Sequence, residues 1–303
     1  MPRVSVIIPT CNRPEFLPRA LRSVLDQTYQ DFEIIVVDDG DKISAEKEVK
    51  SFGNGRIKYI KHEKRRGGAA ARNTGIGVAH GEFIAFLDDD DEWLPEKLEK
   101  KVSAFEQSGD EVGVVFCGVA ISSPGGVIKQ RIYDKEGIVD VFGESLHKCF
   151  IWTSALMIRR EALIQVGMFD ESFKKNQEWD LELRLAKVNR FFSIKEALVK
   201  INSHAGGQMG SIKNIDNIIS GFESLVKKHH ADYQEQKKSL ALRYFQLADL
   251  YCYKDDRQKV RSMLLMSWIN FPLNAIYLIH LLIFLLSPSL YKHLKSKSND
   301  RFF

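Results

Sequence analysis

The runs Val4-Ser5-Val6-Ile7-Ile8 and Glu33-Ile34-Ile35-Val36-Val37 lack the polar alternation of a half-exposed strand, so both strands must be covered on both faces. A sheet sandwiched between helices supplies that cover, and helical patterns lie where such a layering needs them. A helix is expected over 14–27, a third strand over 56–60, a helix over 69–79 closed by Gly81, and a fourth strand over 82–87. This rhythm predicts an α/β fold, Rossmann-like, with a mostly parallel sheet and flanking helices. From 111 to 202 the pattern is mixed, with strands expected over 112–121 and 154–158 and helices over 160–166 and 176–188. Beyond Gly210 strand signals vanish, and helices are expected over 212–230, 234–253, 256–269 and 273–286. Gly206-Gly207 marks the expected boundary between an α/β domain of residues 1–206, with halves of about 1–110 and 111–206, and a helical C-terminal region of 207–303.

Acidic residues sit where these strands end. Asp38 and Asp39 close the second, and Asp88-Asp89-Asp90-Asp91 follow the apolar run Phe83-Ile84-Ala85-Phe86-Leu87. Open α/β sheets bind ligands beyond the carboxyl ends of their strands. Adjacent carboxylates at the edge of an apolar core repel one another, and protonation, Lys or Arg, or a divalent metal relieves the repulsion. Hard oxygen donors favour Mg2+ or Mn2+. Side chains alternate along an extended segment, so Asp88 and Asp90 are expected on one side, able to share an ion, with Asp89 pointing away. The plainer alternative is a solvated acidic loop at the start of a helix expected over 93–107.

Composition narrows the classes. With 303 residues, 44% hydrophobic and 28% charged, the chain suits a globular enzyme-sized protein rather than a disordered one. A net charge of +4 and the lack of a basic stripe interleaved with aromatics argue against a nucleic-acid partner. Cys11, Cys117, Cys149 and Cys252 match no zinc or CxxC spacing and fit reduced thiols in a cytoplasm, and no basic-then-apolar leader opens the chain. Residues 275–286 are apolar apart from Tyr277 and His280, and Lys292, His293, Lys295, Lys297 and Arg301 follow. Twelve residues are too few where a span needs about 20, and Asn270, Pro272 and Asn274 block extension backwards. Burial in the helical region and an apolar face lying on the inner surface of the cell membrane both remain open. Nothing in the sequence sets an oligomeric state.

Four ordered motifs then carry a resemblance. Val4-Ser5-Val6-Ile7-Ile8-Pro9-Thr10-Cys11-Asn12-Arg13, Val36-Val37-Asp38-Asp39-Gly40, Ala71-Arg72-Asn73-Thr74-Gly75-Ile76 and Phe86-Leu87-Asp88-Asp89-Asp90-Asp91-Glu92-Trp93 resemble the signature segments of glycosyltransferase family 2, inverting enzymes of GT-A fold. The resemblance implies transfer of a sugar from a UDP-sugar to a hydroxyl of a glycan or lipid-linked saccharide, with Mn2+ or Mg2+ as cofactor, in surface polysaccharide biosynthesis. It places Pro9, Thr10, Asn12, Arg13, Asp39, Arg72, Asp88 and Asp89 around the donor nucleotide, with Asp39 accepting from uracil N3–H, and gives the metal to Asp88 and Asp90. Arg65, Arg66 and the Gly67-Gly68 pair are further phosphate contacts by the same likeness. Gln177-Glu178-Trp179-Asp180-Leu181 falls where the family carries Glu-Asp before an aromatic residue, the second acid being the base. Glu178 takes that position as one methylene longer than the usual aspartate, and Asp180 is the runner-up. Ile151-Trp152-Thr153-Ser154 and Gly167-Met168-Phe169-Asp170-Glu171 resemble acceptor-side segments; Trp152 and Trp179 read equally well as sugar-stacking or packing residues, and His204 as an extra metal or diphosphate contact. Two other classes stay open: a nucleotidyltransferase, which would want a glycine-rich loop where Pro9 to Arg13 stand, and a non-catalytic sugar-nucleotide-binding module, which the Gln177-Glu178 departure allows.

Overall fold

The computed structural model describes residues 1–122, 126, 128–202 and 214–296. In chain order the first part forms β1 (Val4–Thr10), α1 (Leu17–Leu25), β2 (Phe32–Asp38), α2 (Glu46–Ser51), β3 (Ile57–Lys61), α3 (Gly68–Val78), β4 (Phe83–Phe86), β5 (Glu92–Trp93) and α4 (Lys97–Ser108). It continues as β6 (Val112–Ser122), β7 (Ile128–Arg131), β8 (Gly137–Val139), α5 (Phe142–His147), a 3-10 turn at Thr153–Ala155, β9 (Leu156–Arg159), α6 (Arg160–Gln165), α7 (Gln177–Val188) and β10 (Arg190–Asn202). The main sheet runs β3-β2-β1-β4-β9-β6-β10-β5, with β7 on β6 and β8 on β10. β3, β2, β1 and β4 are parallel to one another, and β6 is parallel to β10. β9 lies antiparallel between β4 and β6.

Double-sided cover is visible residue by residue. Val4, Val6 and Ile8 of β1, with Ile34 and Val36 of β2, join one apolar layer that takes in Leu17, Leu21 and Val24 of α1 and Leu98, Val102 and Phe105 of α4. Ile7, Ile35 and Val37 face the other way, against Ala71 and Ile76 of α3, Leu163 of α6, and Leu181 and Leu185 of α7. All five β-branched residues of β1 and β2 named first are fully shielded from water. Gly75 lets α3 lie close on β1, since a Cβ there would meet the Ile7 Cγ2 methyl at 2.6 Å.

The helix expected over 93–107 starts later. Glu92-Trp93 pair with Lys200 and Val199 of β10, Leu94 N donates to Leu198 O at 2.9 Å, and α4 begins at Lys97. The distant partner strand outweighs the local helix pattern, and Pro95 just ahead of α4 has no N–H to give a helix interior. Two lysines of α4 point inward: Lys101 Nζ donates to Val115 O (2.8 Å) and Ala155 O (2.5 Å), while Lys97 Nζ lies 3.5 Å from the centre of the Trp93 ring.

The structure divides into two compact units. One holds the sheet; the other comprises Gly143–Cys149, Ser172–Gln177 and the C-terminal helices. Those helices are α8 (Ile215–Lys228), α9 (His230–Glu235), α10 (Lys237–Tyr253), α11 (Arg257–Asn270), α12 (Ala275–Leu286) and α13 (Pro288–Ser296). Leu247, Leu264, Leu281, Phe284 and Tyr291 form their core. The Asp256 side chain caps α11 through Lys259 N at 3.0 Å, and Asn274 caps α12 through Ile276 N at 3.1 Å. The Gly206-Gly207 boundary lies outside the described residues, as does His204.

Burial lowers the Lys101 ammonium to about 8 from 10.5. Between pH 8 and 10.5 the unfolded chain therefore binds more protons at this residue, and its contribution to stability rises with pH there, by a total of order 3 kcal/mol. Lys101→Met removes that slope. Melting curves of parent and variant should converge or cross in the parent's favour between pH 8 and 10; parallel curves would refute the assignment.

Candidate active site

The four aspartates after β4 alternate in burial. Asp89 and Asp91 are shielded, whereas the Asp88 and Asp90 side chains keep 35% and 22% of their surface. Asp89 accepts from Thr10 Oγ1 at 2.7 Å and from Arg13, so its carboxylate faces into the protein; the segment is a turn closed by Asp91 N donating to Asp88 O at 3.0 Å rather than an extended strand. Burial pushes its carboxyl up to about 7 against the pull of Arg13. Asp91 accepts from Ser154 Oγ at 2.6 Å and is likewise raised well above its usual value by burial. Ser154 Oγ also accepts from Asp88 N at 3.1 Å, and Asn202 Nδ2 and Arg19 Nη2 each donate to Asp90 O at 2.9 Å. The acidic loop is thus held by its backbone, leaving two carboxylates at the rim.

Each rim carboxylate meets an arginine. Arg13 Nη1 reaches Asp90 Oδ2 at 2.8 Å. Arg72, from α3, is only 5% exposed; its Nη2 donates to Asp88 Oδ1 at 2.7 Å and its Nη1 to Glu178 Oε1 at 3.4 Å. Its guanidinium stands 5.4 Å over the Phe169 ring, which packs edge-on to Phe86. Burial opposes the charge of Arg72, but Asp88 and Glu178 outweigh it and keep the guanidinium protonated. Asn73 fixes the same helix: its amide exchanges bonds with Phe169 O (2.9 Å) and Phe169 N (3.0 Å) and reaches Glu171 at 3.0 Å.

The two acids of α7 separate clearly. Asp180 is fully buried and accepts from Arg184 Nε at 2.9 Å and Nη2 at 2.7 Å one turn on, which ties up the runner-up base inside the protein. Glu178 keeps 29% of its side-chain surface beside Arg72. Trp179 is buried, and Trp152 is half-buried against the layer under α1 and α4.

At the end of β2 the neighbouring acids diverge. Asp38 builds the turn, accepting from Gly40 N, Ala45 N and Tyr59 hydroxyl at 2.8, 2.9 and 2.6 Å. Asp39 accepts from Arg66 N and Gly67 N, both at 2.7 Å, and from His62 Nδ1 at 2.8 Å, whose Nε2 meets Thr74 Oγ1 at 2.9 Å. The motifs did not single out His62, though it ends β3 on the same edge as Asp39. Asn12, at φ 58°, accepts from Lys42 N and Ile43 N and donates to Asp41, so it shapes the 40–43 loop. Pro9 is half-buried beside it, and Arg65 and Arg66 are exposed, with Arg66 3.3 Å from Glu171.

Among the described residues no three His, Cys, Asp or Glu side chains converge as a complete metal cage. Two rim carboxylates are what Mg2+ or Mn2+ uses when substrate phosphates and water complete the shell, so the donor set fits.

Residues 5–167, more than half of the chain, match the profile of Glycosyl transferase family 2. The chain belongs to that family. It is a glycosyltransferase, and the nucleotidyltransferase alternative falls. The amylovoran biosynthesis glycosyltransferase AmsB of Erwinia amylovora is 31% identical over 217 residues, 68% of this chain and 71% of AmsB. The GalNAc(5)-diNAcBac-PP-undecaprenol beta-1,3-glucosyltransferase of Campylobacter jejuni is 27% identical over 295 residues, 93% of each chain. S. aureus TarS 1-349, solved in complex with UDP-GlcNAc, superposes with a TM-score of 0.63 at 16% identity, covering 88% of this chain and 86% of that one, which bears out the GT-A fold.

Asp180→Asn should destabilise the fold by about 3 kcal/mol, because it leaves Arg184 beside an uncompensated buried site. Glu178→Gln should cost less, about 1 kcal/mol, because Glu178 is partly exposed and Asp88 still answers the Arg72 guanidinium. Equal losses would contradict the division between the two acids.

Proposed function

We propose that this family 2 glycosyltransferase is an inverting, divalent-cation-dependent enzyme. It moves a sugar from a UDP-sugar to a saccharide hydroxyl during polysaccharide or lipid-linked glycan synthesis, in the cytoplasm at the inner face of the cell membrane. The observation that carries this reading is the single guanidinium of Arg72 touching both Asp88 at the end of β4 and Glu178 in the first turn of α7. A leaving-group carboxylate and an acceptor-side carboxylate are thereby held within one residue's reach. The relatives that make amylovoran and act on an undecaprenol-linked saccharide support the product class, and the UDP-GlcNAc complex of TarS supports the donor class.

Asp88 and Asp90 would hold the cation, whose charge offsets the negative charge gathering on the departing diphosphate. Asp39 carries three donors against about four acceptor sites, so its carboxylate has room for one more, the N3–H of uracil. Arg13, positioned by Asp90, would bring its guanidinium to the phosphates and counter their charge. Glu178 accepts the proton of the acceptor hydroxyl as its oxygen bonds to the anomeric carbon; the carbon–oxygen bond to the diphosphate breaks, and the diphosphate leaves with the electron pair. Attack from the side opposite the leaving group inverts that carbon. Arg72 aims the Glu178 carboxylate, which suits a side chain one methylene longer than the family's aspartate.

Glu178→Gln should lower turnover by about 10²–10⁴-fold with UDP binding retained. Unchanged turnover would remove Glu178 from the mechanism. Chelation should abolish transfer and manganese restore it, and Asp90→Asn should weaken that rescue; full activity in chelator would overturn the cation requirement. Among UDP-, GDP- and dTDP-sugars, preference for GDP would unseat Asp39 as the uracil contact.

A further inference from the structure

The twelve residues of α12 carry no charge, and the helix is apolar all round. Its inner row, Tyr277, Leu281 and Phe284, is buried in the helical core. Its outer row is not: Ile276, Ile279, Leu282 and Leu286 are 55%, 51%, 47% and 86% exposed. A soluble helix of this kind is polar on its outer face, and one apolar on every side belongs in a core or against lipid. Of the two readings left open by the sequence, burial in the helical region accounts for one face only. The exposed stripe continues through Leu290 and Leu294 of α13 and through Leu265 and Ile269 of α11. Of the eighteen exposed large apolar residues among those described, eleven fall between Leu265 and Leu294.

Charge identifies what covers this surface. From Arg257 to Ser296 there is no Asp or Glu, while Arg257, Lys259, Arg261, Lys292 and Lys295 are basic. Lys292, Lys295 and Lys259 pair with Asp255, Asp249 and Glu223, so the positive surplus rests on Arg257 and Arg261 at the start of α11. There Arg257, Arg261, Leu265 and Ile269 follow one another at four-residue spacing, an exposed row that passes from guanidinium to apolar side chains along a single helix face. A second copy docking by a twofold would either run the two rows parallel and bring arginine near arginine, or run them antiparallel and set guanidinium against apolar side chains. A bilayer surface with anionic headgroups and apolar chains beneath answers both ends of the row at once.

We propose that the outer surface of α11, α12 and α13 is a membrane-docking face that lies in the plane of an anionic bilayer interface. At about 1.5 Å per residue α12 is about 18 Å long, short of the roughly 30 Å of a hydrocarbon core and suited to lying flat. No helix among the described residues is long and apolar enough to cross. The inference deepens the proposed site of action but is independent of the catalytic assignments, since it concerns binding to lipid without any sugar donor.

Flotation of the full chain with vesicles tests it. Vesicles of equal phosphatidylglycerol and phosphatidylcholine should carry the protein up at least about tenfold more strongly than pure phosphatidylcholine, and less as salt rises. Ile279→Glu with Leu282→Glu should cut flotation by about tenfold or more, with the melting temperature and UDP binding in solution unchanged. Arg257→Glu with Arg261→Glu should cut binding to the anionic vesicles alone. Absence of flotation, or equal binding to both vesicle types at all salt concentrations, would overturn the proposal. So would a parent chain that stays off vesicles and sediments as a dimer which Ile279→Glu with Leu282→Glu splits into monomers. Loss of turnover in Glu178→Gln or of UDP binding in an Asp39 variant would leave flotation untouched, which separates failure of this inference from failure of the catalytic reading.

Discussion

A guanidinium sealed from water must be answered by carboxylates, and at Arg72 the answering groups come from elements 90 residues apart, Asp88 and Glu178. Much of the local architecture holds that guanidinium in place. Gly75 lets α3 settle on β1, Asn73 bolts the helix to the backbone of Phe169, and the Phe169 ring supports the guanidinium from below. Arg13 performs the matching task at Asp89 and Asp90. Two arginines thus stand against four aspartates and one glutamate, and the inward pair Asp89 and Asp91 are both pushed toward their neutral forms by burial. The rim remains rich in hard oxygen donors, a state that an added cation relieves.

The same alternation governs both acidic strand ends. After β2, Asp38 turns one way to satisfy the amides of Gly40 and Ala45, and Asp39 turns the other to gather the amides of Arg66 and Gly67. After β4, Asp89 and Asp91 are spent on Thr10, Arg13 and Ser154 while Asp88 and Asp90 look outward. One acid in each neighbouring pair builds the loop so that the other can stand at a defined place, which is why a run of four adjacent carboxylates is tolerated at all.

β1 and β2 were legible because burial on both faces leaves runs rich in β-branched residues, β4 as the apolar run before four aspartates, and the acids stood out because carboxylates cluster at the ends of β2 and β4. β5 was misread as the start of a helix, since Glu92-Trp93 resemble a first helical turn and only their pairing with Val199 and Lys200, over 100 residues on, decides otherwise. The antiparallel placement of β9 between β4 and β6 is equally a product of long-range pairing. Within the site, Glu178 could be placed by its spacing, whereas the burial of Asp180 against Arg184 could not be read from the sequence. The roles of His62, Ser154, Asn202 and Arg19 gave no pattern because each acts through bonds to groups distant in sequence.

Ser154 shows how such unpatterned residues come to matter. Its hydroxyl ties Asp88 N to the Asp91 carboxyl, while its own carbonyl accepts from Trp93 Nε1 at 2.9 Å and the next carbonyl, of Ala155, accepts from the buried Lys101. A cation with no access to water is costly, and Lys101 is kept by the two carbonyls it satisfies. The 3-10 turn at Thr153–Ala155 is therefore pinned from beneath by α4 and from above by the acidic loop. Rigid support of this kind converts a flexible cluster of like charges into two carboxylates at fixed positions, which is what the proposed cation and diphosphate site requires.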